Sequence, residues 1–475
     1  MKKIFLFSLL SLVALTSSAQ NKRELHILSI NDPHAAIECM PRLGYVADSL
    51  RALYPDLLIL SAGDNRSGDP INDMYDIPAY PMVALMNQIG FRATAVGNHE
   101  FDSGQEGLAR LINLGAFSTL CANMAPDPKF KMHVKPYQIF DCGGISVGVL
   151  GITALGSMGT PESHPTRLKD IGFMDPLKTI QQYQFLRERC DVVLLLSHLG
   201  YTDDVKFSAE LPWVDIIVGG HSHTQLEGGE LHNGILITQN SKSLKNATHS
   251  TLVLDGQKIV EKKAERIAIA GQKSVNTTMV QMVHFFSENP AFKRVLAVAE
   301  TPFDCNEELG CMVCDAYVAE TGADISYQNA GGVRIENHAA GDFTMGDVMK
   351  MDPFQNDLME LSVSGKELAA MLIACYDNDK QRFPYVSGIT CDIVKNAADG
   401  KIKKLTLLDK NGRKLNLKQT YRVVSNSYSV AVSPTSRKDE GRSLGITTPD
   451  VIKNYLEHQG RVSYQGRRCL NIIEK

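Results

Sequence analysis

Aspartate, histidine and asparagine gather in this chain in five short clusters: Asp32-Pro33-His34, Gly63-Asp64, Gly97-Asn98-His99-Glu100-Phe101-Asp102, Ser197-His198-Leu199-Gly200 and Gly219-Gly220-His221-Ser222-His223. Singly, each is ordinary. Gly-Asp and Gly-Asn pairs are turn chemistry, and a histidine behind an apolar run is usually a hydrogen-bonded loop residue. Jointly they supply imidazole, carboxylate and amide donors from five separated places, the donor set of a borderline-to-hard divalent cation such as zinc, manganese, cobalt or iron. Asp32 and His34 occupy alternate positions, and on an extended segment such residues project to one face, so that one ion can take both.

The elements that must position these donors are legible as short β-rich runs, Leu25–Ile30, Leu57–Leu60, Ala93–Val96, Ser146–Ile152, Val192–Leu196 and Asp215–Val218. Between them, Arg42–Leu53 and Leu177–Arg189 carry apolar residues at helical spacing. Such alternation predicts an α/β domain with a sheet that is at least partly parallel. The five clusters follow strand ends, where open α/β sheets place their ligands, and should converge there. A helical pattern over Met279–Thr301, which contains Pro290, marks the passage to a second region. There, Asp399-Gly400 and Asn411-Gly412 signal hairpin turns around Ile402–Leu408 and Leu415–Val424. No phosphate-cradling G-x-x-x-x-G-K-[ST] loop and no internal repeat is present.

A chain of 475 residues is long enough for two domains, and 44% hydrophobic with 21% charged residues is a globular composition. Met1-Lys2-Lys3, the apolar run Ile4–Thr16 and Ser17-Ser18-Ala19 describe a secretory signal peptide over residues 1–19, cleaved near Ala19-Gln20, which predicts a periplasmic or secreted protein. No cysteine follows that site to carry a lipid, and Leu470–Lys475 is no hydrophobic anchor, so no stable membrane association is expected. Removing the leader takes away two lysines and moves the net charge from −4 to −6, which argues against nucleic-acid polymers as partners. The ten cysteines include one Cys311-Met-Val-Cys314 without a second such pair, so disulfide or buried thiol is expected and not a four-cysteine zinc site.

The blocks D-x-H, G-D, G-N-H-E-F-D, S-H-L-G and G-H-S-H, in this order, resemble those of the calcineurin-like metallophosphoesterases, and among them the 5′-nucleotidase and UDP-sugar hydrolase family. The resemblance implies an α/β fold: a metallophosphoesterase β-sandwich flanked by helices over residues 25–270, a linker helix over 275–300, and a smaller α+β substrate-binding domain over 301–475. It implies two divalent metal ions. Asp32, His34, Asp64 and His223 would hold the first, and Asp64 would bridge to a second completed by Asn98, His198 and His221. Such a pair binds a phosphate oxygen, generates a hydroxide at neutral pH and stabilises in-line displacement. His99 would stabilise the transferring phosphoryl group or protonate the leaving oxygen, and Asp102 would orient it. Glu100 is assigned a structural role. Where the family has glycine after the D-x-H histidine, this chain has Ala35.

Further along, Asn329-Ala330-Gly331-Gly332-Val333-Arg334 resembles the family's N-x-G-G-[IV]-R block and Asp352-Pro353-Phe354-Gln355-Asn356 its P-F block. By carry-over, Asn329, Gly332 and Arg334 would bind ribose or phosphate, and Phe354 would stack on a base. Tyr428, after Tyr421-Arg422-Val423, is placed to complete the base sandwich. Two departures concern the base: Ser433–Glu440 holds no Gly-Gly-Asp, and Glu320-Thr321-Gly322-Ala323 stands where some members carry an arginine. The reading implied is an exported dimetal phosphohydrolase acting on a small-molecule phosphate ester, a nucleotide. Nucleotide sugars, 2′,3′-cyclic nucleotides and sugar phosphates are alternatives, and a nucleotide-binding protein without turnover is a remote one. The oligomeric state is not readable from the sequence.

Overall fold

Apolar, β-branched runs become the interior strands of two six-stranded sheets that lie face to face. The computed structural model describes residues 22–474 other than Ser157, Asn289 and 434–436, and the expected leader lies outside the described residues. The first sheet runs in the order Lys258–Ala268, Asn246–Asp255, Lys22–Ile30, Leu58–Ser61, Ala93–Ala95, Ser118–Leu120, the last four strands parallel. The second runs Glu230–His232, Ile235–Thr238, Ile216–Gly219, Val192–His198, Ile145–Thr153, Tyr137–Cys142, its central four parallel. Every residue of Val192–His198 is buried, as a parallel strand covered on both faces must be.

Leu25, Ile27, Leu58, Leu60, Val147, Val149, Leu194 and Leu196 meet between the sheets. Helices Met40–Leu53, Tyr80–Ile89 and Thr277–Ser287 cover the outer face of the first sheet, and Pro176–Gln181 with Tyr201–Ser208 the outer face of the second. The order of layers is thus helix, sheet, sheet, helix. The helix expected over Leu177–Arg189 is broken: an α-helical turn ends at Gln181 and a 3-10 segment covers Gln184–Glu188. Tyr183 and Phe185 both pack on Tyr137 with ring centroids 5.8 Å apart, which draws the chain off the helical path.

The expected linker helix is also shorter than the sequence suggests. Asn276 caps it by accepting a hydrogen bond from the Met279 amide, and it ends at Ser287, before Pro290, whose ring has no N–H to continue the ladder. Its Met279 and Phe286 belong to the outer layer of the first sheet. Val295–Ala299 is a strand paired with Gly341–Thr344, so the end of the expected helix belongs to the second body.

That second body has its own core, drawn from residues between Leu296 and Cys469. Its main sheet runs Tyr385–Ser387, Ile325–Gln328, Thr420–Asn426, Asp357–Ser364, Arg442–Thr447, with helices Asn306–Thr321, Gly365–Asn378 and Thr448–Gln459 packed about it. Asp399-Gly400 closes the hairpin of Ile389–Lys395 with Ile402–Asp409 as expected. Asn411-Gly412 closes a short antiparallel turn in which Leu408 pairs with Lys414, but the pairing does not run on toward Val424. The next strand starts at Thr420 and enters the main sheet instead, where Tyr421, Val423 and Val424 join the core.

The two sheets of the first body touch closely at Gly151. A methyl group there would lie 2.4 Å from the Leu120 carbonyl oxygen, while the Gly151 carbonyl accepts the Ala122 amide at 2.8 Å. Gly151→Ala is therefore expected to cost about 1–3 kcal/mol through overpacking. A thermal melt would show this as a clear fall in Tm, and an unchanged Tm would mean that the contact can relax.

Candidate metal centre

All five polar clusters stand at the carboxyl ends of parallel strands, and hydrogen bonds lash them together before any side chain is considered. The Asp32, His34 and Ala35 amides donate to the carbonyls of Gly63, Asp64 and Asn65, each at 3.1 Å. Buried Glu100 accepts from the amides of Asp64, Asn65 and Gly97 at 2.7–2.9 Å, tying the second cluster to the third. The His221 amide donates to Asp32 at 3.0 Å and the His99 amide to Asp64 at 2.8 Å.

The backbone is strained where the donors sit. Asp32, His34, Asp64, His221 and His223 all have left-handed φ between 44° and 74°. Each such residue costs on the order of 1–3 kcal/mol, a price met only where the surroundings over-determine the loop. Asp32 and His34 therefore reach the same point because they lie in a left-handed turn, not because they alternate along an extended segment. Ala35 shares that conformation, with φ 59°, which is why glycine would suit the position.

Two groups of donors result. Asp32, His34 and His223 form one and Asp64, His198 and His221 the other, the donor atoms of each lying within 4.8 Å of one another. In the first, the Nε2 atoms of His34 and His223 face each other at 3.1 Å, and Asp32 Oδ1 is 3.4 Å from His223 Nε2. In the second, Asn98 Oδ1 lies 3.0 Å from His221 Nδ1 and 3.3 Å from His198 Nε2, with Asp64 Oδ2 3.3 Å from that same Nε2. Asp64 also groups with His34 and His99 within 4.8 Å, which puts its carboxylate between the two sets. Burial, with Arg334 near His34 and Lys380 near His221, holds both imidazoles well below their ordinary pKa and hence neutral. Burial would do the same to His198, but the Asp64 and Asp32 carboxylates hold it up to about 9. His198 Nδ1 donates to the Ala62 carbonyl at 2.7 Å, which turns Nε2 inward, the way a ligating imidazole is usually fixed. Four imidazoles, a carboxamide oxygen and two carboxylates converging in this way suit divalent cations.

His99 stands beside both groups. Its Nδ1 pairs with Asp102 Oδ2 at 2.8 Å, leaving Nε2 as its other polar atom. Asp102 also pairs with Arg167 at 3.6 Å and accepts from the Ser67 hydroxyl. Burial pushes the Asp102 carboxyl up, but His99, Arg167 and Arg66 outweigh it and hold the group at about 2.

A cleft between the two bodies opens over this centre. Asp64, Asn98, His99, Asp102 and His223 line it from one side, and Asn329, Gly332, Arg334, Phe354 and Tyr428 from the other. Arg334 Nη2 is 3.0 Å from His34 Nδ1, and the Phe354 ring stacks on His99 with centroids 5.7 Å apart. Phe354 and Tyr428 are half-buried, as cleft walls and not as core. Asn329 is held by Asn426, whose amide donates to Asn329 Oδ1 at 2.9 Å. Gly332 leaves no room for a side chain, since a methyl there would lie 2.0 Å from the Gln328 amide.

Glu162, Arg167, Lys242, Asp379, Lys380 and Arg382 also line the cleft, and the sequence did not single them out. Glu162 Oε2 lies 3.8 Å from His221 Nε2, and Lys380 Nζ donates to the His221 carbonyl at 2.5 Å. Single charged residues of this kind, scattered along the chain, carry no signal in the sequence that separates them from solvated loop residues.

Asp64 belongs to the second donor group and also lies within reach of His34 of the first. Asp64→Asn is expected to lower affinity for divalent metal by more than the 10–100-fold typical of an outer-shell partner. Metal analysis after dialysis against a weak chelator measures this, and retention at the wild-type level would remove Asp64 from the centre.

Residues 25–225 match the family model for the calcineurin-like phosphoesterase, and residues 288–432 that for the 5′-nucleotidase C-terminal domain. A Vibrio cholerae protein named 5′-nucleotidase is 27% identical, the alignment covering 84% of this chain and 82% of that one. The crystal structure of a 5′-nucleotidase precursor from Thermus thermophilus superposes with a TM-score of 0.83 at 24% identity, over 95% of this chain and 99% of that one. A Thermus thermophilus sulfate thiohydrolase shares the fold at a TM-score of 0.75 and 17% identity, over 91% and 83%. With the two models matched in tandem, each over one of the two bodies that wall the cleft, the chain belongs to the calcineurin-like phosphoesterases that carry a 5′-nucleotidase C-terminal domain.

Proposed function

We propose that this protein is an exported dimetal phosphohydrolase that releases phosphate from nucleotides, with the boundary between its domains at 288–294. The observation that carries the reading is the cleft, in which Arg334 and Phe354 of one body reach His34 and His99 of the other. Two divalent ions, one in each donor group, would polarise the phosphate ester and lower the pKa of the attacking water. The remaining work falls to side chains of the chain itself. Arg334, half-buried in the cleft wall and planar, offers a fork of donors matched to phosphate oxygens. His99, with Nδ1 fixed by Asp102, presents Nε2 to bond the transferring phosphoryl group or to pass a proton to the leaving oxygen. Asp102, held anionic, keeps that tautomer in place. Phe354 and Tyr428 offer aromatic surface for a base.

Lys242, Lys380 and Arg382 add cationic groups to the cleft wall, which favours nucleotide sugars, with their second phosphate, as the next reading. Turnover of AMP, UDP-glucose, 2′,3′-cyclic nucleotides and sugar phosphates, compared on one metal-loaded sample, separates the readings. Export rests on the basic, apolar and small-residue pattern of residues 1–19. Among the described residues no helix is long and apolar enough to cross a membrane. N-terminal sequencing of the mature protein tests export directly.

His99→Ala should keep its metals and lose on the order of 10²–10⁴ in kcat. Loss of metal together with activity would make His99 a ligand. Phe354→Ala should weaken AMP binding by about five- to more than a hundredfold, the value of one stacking face at roughly 1–3 kcal/mol. Turnover of p-nitrophenyl phosphate should fall far less, and because Phe354 is half-buried the Tm should barely move. Equal losses on both substrates would remove the stacking role.

A further inference from the structure

Outside the metal centre, one cluster of reactive side chains joins the C-terminus to the second body. Cys311 lies in the helix Asn306–Thr321, and Cys469 immediately precedes the last strand, Leu470–Glu474. Both are buried, at 1% and 5% exposure, and their sulfur atoms lie within 4.8 Å of each other and of the Glu307 carboxylate. The surroundings fix this approach. Glu307 Oε1 accepts the amides of Cys469 and Leu470, each at 3.0 Å, and Glu308 Oε1 accepts the Gly466 amide at 2.7 Å and Arg468 Nη1 at 2.7 Å. Two successive glutamates of one helix thus hold the segment 466–470 against it. The last strand itself pairs only with Ile389–Lys395, at the edge of a three-stranded sheet.

We infer that Cys311 and Cys469 form a disulfide that staples the C-terminal strand to the helix Asn306–Thr321. The pair rests on the export reading, because only an oxidising compartment makes such a bond persist. A metal ion shared with Glu307 is the competing use of the cluster. It is disfavoured because that carboxylate already serves two backbone amides and lies 3.7 Å from Arg468 Nε. The hydrogen bond with the Cys469 thiol, and then burial, also keep Cys311 protonated, the opposite of a thiolate ligand. Cys314 and Cys391 are nearby buried thiols but are not part of the close group.

The step is thiol–disulfide exchange with an oxidised dithiol protein or a small-molecule disulfide. One thiolate attacks the oxidant's S–S bond and forms a mixed disulfide. The other cysteine thiolate then displaces the oxidant's remaining sulfur, so that two thiol protons and two electrons leave this chain and the oxidant departs reduced, as a dithiol protein or as two small-molecule thiols. With both sulfurs buried in the finished fold, the exchange belongs to folding, before segment 466–470 docks.

The test uses the full chain expressed with its own leader, alkylated with iodoacetamide under denaturing, non-reducing conditions and mapped by mass spectrometry. The expected product is a linked peptide pair containing Cys311 and Cys469, with Cys314 and Cys391 alkylated. Refolding leaderless protein in oxidised and reduced glutathione should give the same pair, so that failure of export, read from an unprocessed N-terminus, is separable from failure of the pairing. Reduction should lower Tm by roughly 5–10 °C, as expected for a bond closing so long a loop. Cys311→Ser should melt like the reduced protein and respond no further to reductant, with p-nitrophenyl phosphate turnover within about twofold of wild type. Alkylation of both cysteines in processed and refolded protein, a Cys391–Cys469 pair, or zinc bound at this cluster would each overturn the proposal.

Discussion

Four imidazoles, two carboxylates and a carboxamide oxygen converge inside the first body, with His34 and His223 nitrogens only 3.1 Å apart. So many buried polar groups in one place are costly to desolvate, and they persist because neighbouring groups hydrogen-bond to them. Much of the first body is arranged to hold them. The loops that carry the donors are cross-tied by backbone hydrogen bonds and by Glu100, and five of the donor residues keep a left-handed backbone that would relax elsewhere. The centre is thus stored strain secured by a rigid double sheet. Affinity for divalent ions is what would convert that strain into stability.

The double sheet secures it because the donors come from both layers. Asp32, Asp64 and Asn98 follow strands of the first sheet, and His198 and His221 strands of the second. Any slip of one sheet over the other would open the centre. Close approaches such as Gly151 on Leu120 and the dense apolar layer between the sheets make such slip expensive.

The first body was legible in its sequence for physical reasons. Parallel strands buried on both faces must be continuous apolar runs, and strand ends that carry chemistry must turn polar at once, so runs such as Val192–Leu196 with His198 behind them announce both element and site. Helix integrity was less legible. Pro290 was visible, but whether Val295–Ala299 continues the helix or joins a sheet depends on Gly341–Thr344, which is distant in sequence. The cleft wall was least legible. Glu162, Lys242, Asp379, Lys380 and Arg382 are ordinary surface residue types, and only the docking of one body on the other turns them inward. The departure at Ala35 was visible as a residue but not as strain, since its φ of 59° is set by the Asn65 carbonyl that its amide reaches.

The contacts across the cleft are polar and few. Arg334 meets His34, Lys380 meets the His221 carbonyl, Arg167 Nη2 donates to the Phe354 carbonyl at 3.0 Å, and Lys242 pairs with Glu336 at 2.7 Å. Hydrogen bonds and partly exposed ion pairs of this kind contribute on the order of 1 kcal/mol each, far less than a buried apolar interface of similar extent. Arg334 is the exception in kind, because its hydrogen-bond partner is an imidazole nitrogen, with the Asp64, Asp102 and Asp379 carboxylates acting on it from further away. The tie that Arg334 makes between the two bodies is thus that of a cation to a neutral ring, weaker than a direct ion pair.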